Sequence, residues 1–173
     1  MRTVKLVFLS MAALLIVSGA AQAIEVKKKI GAPGQPPTIW AMVGAFCSIK
    51  DWHPVVADCK ETKEGDVTFR TLTLKDGGTI KEKLLESDDT SYSYEIVESP
   101  LPVKNYKAKF WVEEDDKRPD RTTIFWEATF DANGASDDEA KKKISDIFFA
   151  GLKAIKQKAM PPEGSEPDDE GKN

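Results

Sequence analysis

The chain has 173 residues, 40% of them hydrophobic and 31% charged, with a formal net charge of -4. That length suits one domain of ordinary size, and the balance excludes both disorder throughout and a polytopic membrane protein. Net acidity argues against a nucleic-acid binder, which needs clustered positive charge, and one His with two Cys excludes most dense zinc sites and disulfide-knit miniproteins.

Residues 1–23 read as a secretory signal. Arg2 and Lys5 make a positive start, Leu6 to Val17 is apolar except for Ser10, and Ala21-Gln22-Ala23 is a small-x-small cleavage site. The apolar run falls short of the roughly 20 residues that a spanning helix needs. The expectation is export to the periplasm, cleavage after Ala23 and no membrane span afterwards. At the other end, residues 161–173 hold five acids, three Pro and no packing side chain. Such a segment cannot bury enough apolar surface to offset the entropy of ordering, so a disordered acidic tail is expected.

Between these ends lies one domain, 24–160, without a repeat or linker. A first strand is expected at Ile24 to Ile30, with Ile24, Val26, Lys28 and Ile30 on one face, stopped by Pro33, Pro36 and Pro37. Pro37 suits the first turn of a short helix, where its missing N–H is harmless, and Thr38 to Ala45 would follow it. A second helical turn at Cys47 to Asp51 should end before Trp52-His53-Pro54, because a residue preceding Pro avoids the α region. From Val55 to Asp131 the pattern is β. Val67 to Leu74, a turn at Asp76-Gly77-Gly78, Thr79 to Glu86, and the alternations of Tyr92, Tyr94 and Ile96, of Tyr106, Ala108, Phe110 and Val112, and of Ile124, Trp126, Ala128 and Phe130 mark successive strands. Asp115 to Asp120, with Pro119, reads as a charged loop.

The last element is a helix to about Met160. Ser136 and Glu139 form a capping box, Asp137 and Asp138 add negative charge at the positive end of its dipole, and Ile144, Ile147, Phe148, Leu152 and Ile155 recur at helical spacing. At about 24 residues it would be about 36 Å long. A meandering sheet has one apolar face to cover, and one such helix can cover it. The fold class is therefore α+β: a curved antiparallel sheet of about seven strands around a long C-terminal helix, with two short helices after the first strand. A sheet curled around a single helix leaves a pocket between them unless the side chains there are very large.

This order resembles the helix-grip, or Bet v 1-like, START and SRPBCC superfamily, in its polyketide cyclase/dehydrase-like branch. The carriers are Ile39-Trp40, the run Gly44 to Val56, Cys59, Arg70 to Leu74, Gly77 to Ile80, Tyr94 to Tyr106, and Trp126 to Phe130 with the capped helix. Combined with an export signal, it resembles the MxaD-like group of accessory proteins of methanol oxidation. That resemblance implies a non-catalytic periplasmic role with methanol dehydrogenase and a c-type cytochrome as partners, and no cofactor. The wider branch implies instead a cyclase or dehydratase, or a carrier of a small hydrophobic ligand.

Cys47 and Cys59 either pair in an oxidising compartment or pack as buried thiols. His53, beside Pro54, reads more naturally as a turn residue than as a general base. Arg70, Glu82, Tyr94 and Glu127 are candidates for polarising a substrate by residue type alone, with Glu127 expected to point outward and Arg70 to share the parity of Leu72. None forms a catalytic dyad, so no catalytic residue and no metal site are assigned. The candidate cavity lining is Trp40, Trp52, Arg70, Tyr92, Tyr94, Tyr106, Trp126 and Phe148. These side chains either fill the space under the helix as a core or leave an apolar cavity with polar tips.

Overall fold

A computed structural model describes residues 23–161. The expected leader and acidic tail lie outside the described residues except at their inner ends, Ala23 and Pro161. The elements run β1 (Ile24–Pro33), α1 (Pro36–Val43), α2 (Ile49–Trp52), β2 (Val56–Glu64), β3 (Val67–Leu74), β4 (Thr79–Ser87), β5 (Ser91–Glu98), β6 (Val103–Asp115), β7 (Arg118–Ala132) and α3 (Asp137–Ala159).

The seven strands form one antiparallel sheet in the order β1-β7-β6-β5-β4-β3-β2. Strands β2 to β7 are a plain meander. β1 instead pairs with β7, from Ile24 opposite Phe130 to Pro33 opposite Arg121. The helices α1 and α2 therefore carry the chain from one edge strand to the other, closing one end of the curved sheet. This is the helix-grip arrangement, and α3 covers the concave face.

Each helix boundary has a local cause. Tandem Pro36-Pro37 starts α1 two residues earlier than Thr38, because Pro is preorganised for the first turn and its missing N–H is no loss there. α2 begins at Ile49 rather than Cys47, after a turn in which the single Ser48 hydroxyl proton is shared between the carbonyls of Val43 and Ala45, 2.8 and 2.7 Å away. It ends at Trp52, and His53 is extended ahead of Pro54. In α3 both halves of the capping box form: Ser136 Oγ accepts from the Glu139 N–H, and Glu139 Oε2 accepts from the Ser136 N–H at 2.9 Å. The α3 stripe that packs inward is Ala140, Ile144, Phe148, Gly151, Leu152 and Ile155. Gly151 is required by close approach, since a Cβ there would lie 2.6 Å from His53 Cδ2 and 3.0 Å from Trp126 Cζ3.

Two strand boundaries differ from expectation. β1 continues past Ile30 to Pro33, and Asp115–Asp120 is not an open loop. Asp115 ends β6, Arg118 starts β7, and Pro119 sits at the register shift between the Glu114–Thr122 and Asp115–Arg118 pairs. A Pro is tolerated at such a break in the ladder. The Asp115 carboxylate tightens the turn by accepting from the Lys117 N–H at 3.1 Å. On the outer sheet face, Trp111 and Phe125 stack at 4.8 Å, with Lys27 4.9 Å over the Trp111 ring.

Candidate ligand cavity

The space beneath α3 is divided. At the end closed by the short helices it is filled. Trp40 from α1 and Trp52 from α2 stack on Phe110 of β6, with centroids 6.2 and 5.8 Å apart, and Tyr92 stacks on the same ring at 5.5 Å. Trp126 marks the boundary. It meets Phe110 edge-on and stacks on Phe148 of α3 at 4.3 Å.

Beyond that Trp126–Phe148 stack, where α3 contributes Ile144 and Ile147, a cavity of about 420 Å³ opens. Its walls are Leu72 and Leu74 of β3, Ile80 and Glu82 of β4, Tyr94 and Ile96 of β5, and Tyr106 of β6. His53 and Trp126 form part of its floor. Exposed Pro54, Val55, Lys75, Pro100 and Lys143 ring its mouth. The size falls within the range of small-molecule sites, and the predominantly apolar lining is typical of them.

Four of the eight expected lining residues, Tyr94, Tyr106, Trp126 and Phe148, stand on this wall. The other four do not. Trp40, Trp52 and Tyr92 belong to the filled end, and Arg70, on the inner face, is fully buried against the Phe46 ring. The reason is the helical approach: α1 and α2 insert their indoles at one end only. Core and cavity are thus both present, side by side.

The polar groups of the wall are few and mostly satisfied. Trp126 Nε1–H donates to the Tyr94 hydroxyl at 3.0 Å. Burial pushes the Tyr94 and Tyr106 phenols far above their ordinary pKa, so both stay protonated. His53 meets the Ile147 carbonyl through Nε2 at 3.1 Å, while its Nδ1 faces the Val55 N–H at 3.4 Å. A carbonyl only accepts, so the proton sits on Nε2 and the ring is the neutral tautomer. Burial, aided by the Arg70 charge and opposed by the Ile147 bond, lowers its pKa to about 4. His53 is therefore a bracket between the end of α2 and the middle of α3, in keeping with a turn role.

The ionic element is the buried pair Arg70–Glu82, neighbours across β3 and β4. Arg70 Nε donates to Glu82 Oε2 at 2.5 Å, and Nη1 donates to the Phe46 carbonyl. The guanidinium also lies 4.0 Å over the Phe46 ring and 5.0 Å over that of Tyr94. Burial works against the Arg70 charge, but Glu82, Tyr92 and Tyr94 outweigh it and hold its pKa above the usual value. For Glu82, burial raises the pKa and Arg70 offsets part of that rise. The two tendencies pull opposite ways on one ion pair; the short contact to a guanidinium that cannot release its proton decides for the charged form. Glu82 Oε1 has no hydrogen-bond partner among the described residues, and Glu82 is the carboxylate on the inner wall. Glu127, by contrast, is on the outer face and pairs with Lys27 at 2.9 Å.

Cys47 and Cys59 form a disulfide, with Cα atoms 5.4 Å apart. It ties the turn between α1 and α2 to β2. Sequence reasoning placed Glu82 among candidates by type but not on the wall. The period-two run Ile80, Glu82, Leu84 carries that signal, since it sets Glu82 on the face of Ile80. Phe46, quoted only within the Gly44–Val56 run, was not singled out as a site residue, because its carbonyl and ring reach Arg70 only through tertiary contact. Among the described residues no cluster of three His, Cys, Asp or Glu could hold a metal ion, and no helix is long and apolar enough to cross a membrane.

The sequence pattern of the family described as polyketide cyclase / dehydrase and lipid transport matches residues 23–160. The chain belongs to this family. No curated protein sequence matches it. Among solved structures, XoxI from Bacillus cereus is 32% identical, with a TM-score of 0.74 over 78% of this chain and 94% of its own. An uncharacterised protein from Bacillus thuringiensis is 31% identical, with a TM-score of 0.75 over 80% of this chain and 100% of its own. The ZhuI aromatase/cyclase from a Streptomyces species has a TM-score of 0.66 over 80% of this chain and 94% of its own, at 16% identity, and so shares the fold.

Proposed function

We propose that this chain binds, and carries or presents, a small neutral apolar molecule bearing a hydroxyl or similar hydrogen-bond donor. The observation that carries this reading is the cavity of about 420 Å³, whose largely apolar wall includes the Glu82 carboxylate, bonded to Arg70 through Oε2 alone. The chemistry follows from the wall. A second cation is disfavoured because Arg70 already neutralises Glu82 and would repel it. An anion would meet the negative end of the pair. A neutral donor satisfies Oε1 without changing the charge of the site. A catalytic cyclase or dehydratase is less well supported, because His53 is neutral and committed to Ile147, and Glu82 is held by Arg70.

The test is native mass spectrometry of protein purified from its host, followed by titration with 1-naphthol. A co-purifying neutral molecule, and naphthol-induced NMR shifts at Ile80 and Ile147, are expected. Absence of any ligand together with no response to naphthol would rule out this reading.

A second reading is an exported, periplasmic accessory protein of methanol oxidation, working with methanol dehydrogenase and a c-type cytochrome. It rests on the resemblance of Gly44 to Val56 and Tyr94 to Tyr106 to the MxaD-like group. The outer-face Trp111–Phe125 stack, with Lys27 beside it, offers a surface for a protein partner. Deleting the gene should then slow methanol-dependent respiration; unchanged electron transfer from methanol would exclude it.

A further inference from the structure

The disulfide and the ion pair are neighbours. Cys59 pairs across the sheet with Leu72, and Arg70 is two residues further along β3, opposite Glu61. Leu72 and Arg70 therefore point to the same inner face. Cys47 directly follows Phe46, whose carbonyl takes Arg70 Nη1 and whose ring lies against the guanidinium at 4.0 Å. The disulfide thus ties the turn that grips Arg70 to the strand paired with that of Arg70 itself.

The arrangement of the guanidinium depends on that grip. Arg70 and Glu82 are joined through one nitrogen and one oxygen only, although Arg and carboxylate commonly pair through two parallel bonds. Nη1 is engaged by Phe46, and Nη2 is buried without a hydrogen-bond partner. Freed from Phe46, the guanidinium could turn and take both oxygens of Glu82. Oε1 would then no longer face the cavity as a free acceptor.

We infer that the Cys47–Cys59 disulfide and Phe46 together are a specificity device: by holding Arg70 in a single-bonded pose, they keep Glu82 Oε1 available to a donor-bearing ligand. Phe46 is a positioning residue, since it acts through Arg70. The inference rests on the proposed ligand reading and adds to it which part of the chain sets the preference. Breaking the bond requires a dithiol, which gives two electrons and two protons to the sulfurs and leaves as its own cyclic disulfide, while Cys47 and Cys59 become thiols.

The experiment compares 1-naphthol with 1-methoxynaphthalene, which has a similar ring but no donor. Both are titrated by calorimetry into the oxidised protein, the dithiothreitol-reduced protein, and Cys47→Ala/Cys59→Ala, with circular dichroism confirming that each is folded. Oxidised protein should bind 1-naphthol at least about tenfold more tightly than the ether, the discrimination expected of a hydrogen bond to a charged acceptor. With the bond broken, that ratio should fall toward one while the affinity for the ether changes by less than about threefold, because the apolar wall is untouched. A merely structural disulfide would weaken both ligands together, and that result, or an unchanged ratio, overturns the inference. Equal binding of both probes by oxidised protein overturns it while leaving the apolar cavity reading intact. No binding of either probe removes both.

Discussion

Replacing His53 by Gln should abolish about 3 kcal/mol of the stability that the protein loses between pH 7 and pH 4. In the unfolded chain the imidazole takes a proton at its ordinary pKa of 6.5, whereas in the native state burial delays this to about 4. The unfolded state therefore binds more protons throughout that window, and native stability falls as the pH falls through it. At about 1.4 kcal/mol per unit, the loss is about 2 kcal/mol at pH 5 and about 3 kcal/mol at pH 4. Glu82 acts with the opposite sign, because its raised pKa lets the native state take up a proton first. Asp88, Asp115 and Glu139, held below their usual values by hydrogen bonds, lose their contributions at lower pH. All of these are common to both proteins and cancel in the difference. Gln retains an N–H donor for the Ile147 carbonyl and does not titrate. Urea unfolding followed by tryptophan fluorescence at pH 7, 6, 5 and 4.5 measures the gap between the two proteins. A gap that does not change with pH, or an NMR titration of His53 in the native protein near pH 6.5, would refute the argument.

Three further outcomes follow from the same contacts. Cys47→Ala/Cys59→Ala should cost about 3 kcal/mol in urea unfolding, the chain-entropy value for a loop with sequence separation 12. Arg70→Met alone should cost about 3–5 kcal/mol by stranding Glu82 in the interior, whereas Arg70→Met/Glu82→Leu should recover most of that loss; a double variant as unstable as the single one would contradict a penalty from unpaired charge. Gly151→Ala should lower the melting temperature by an amount equivalent to about 1–3 kcal/mol, because the new methyl meets the His53 and Trp126 rings. A neutral Gly151→Ala would mean that α3 can lift from the sheet at no cost.

Much of the local structure was legible because it is written in short-range patterns. The capping box of Ser136 and Glu139 needs only its own spacing, and α3 begins where that spacing put it. Val67 to Leu74, rich in Thr, Val, Phe and Leu, forms β3 with those bounds. α2 ends at Trp52, one residue past the expected Asp51, and its exit ahead of Pro54 follows from sterics between adjacent residues. The misplaced segments are those in which distant partners decide. Pro119 suggested a loop, yet strand pairing with β6 carries β7 back to Arg118 and leaves Pro119 at a break in register. The start of α1 moved because two prolines, not one, fit its first turn.

The cavity was legible in kind but not in outline. Period two puts Tyr94, Tyr106 and Trp126 on the concave face, and helical spacing puts Phe148 opposite them. Which aromatic residues fill space and which bound it depends on where α1 and α2 dock, and residue spacing within any one strand carries no information about that. Likewise, the pairing of Arg70 with Glu82 requires β3 and β4 in register, and the grip of Phe46 requires a turn brought over them.

Hydrophobic periodicity, turn chemistry and capping therefore determined from the sequence alone that about seven strands precede one long amphipathic helix, because those signals act over a few residues. The tertiary structure alone decided that the two cysteines join, that Arg70 is drawn against Phe46, and that Glu82 joins a mostly apolar cavity wall while bonded to Arg70. Those features are distances between segments far apart in the chain, and only the closing of the sheet around α3 sets them.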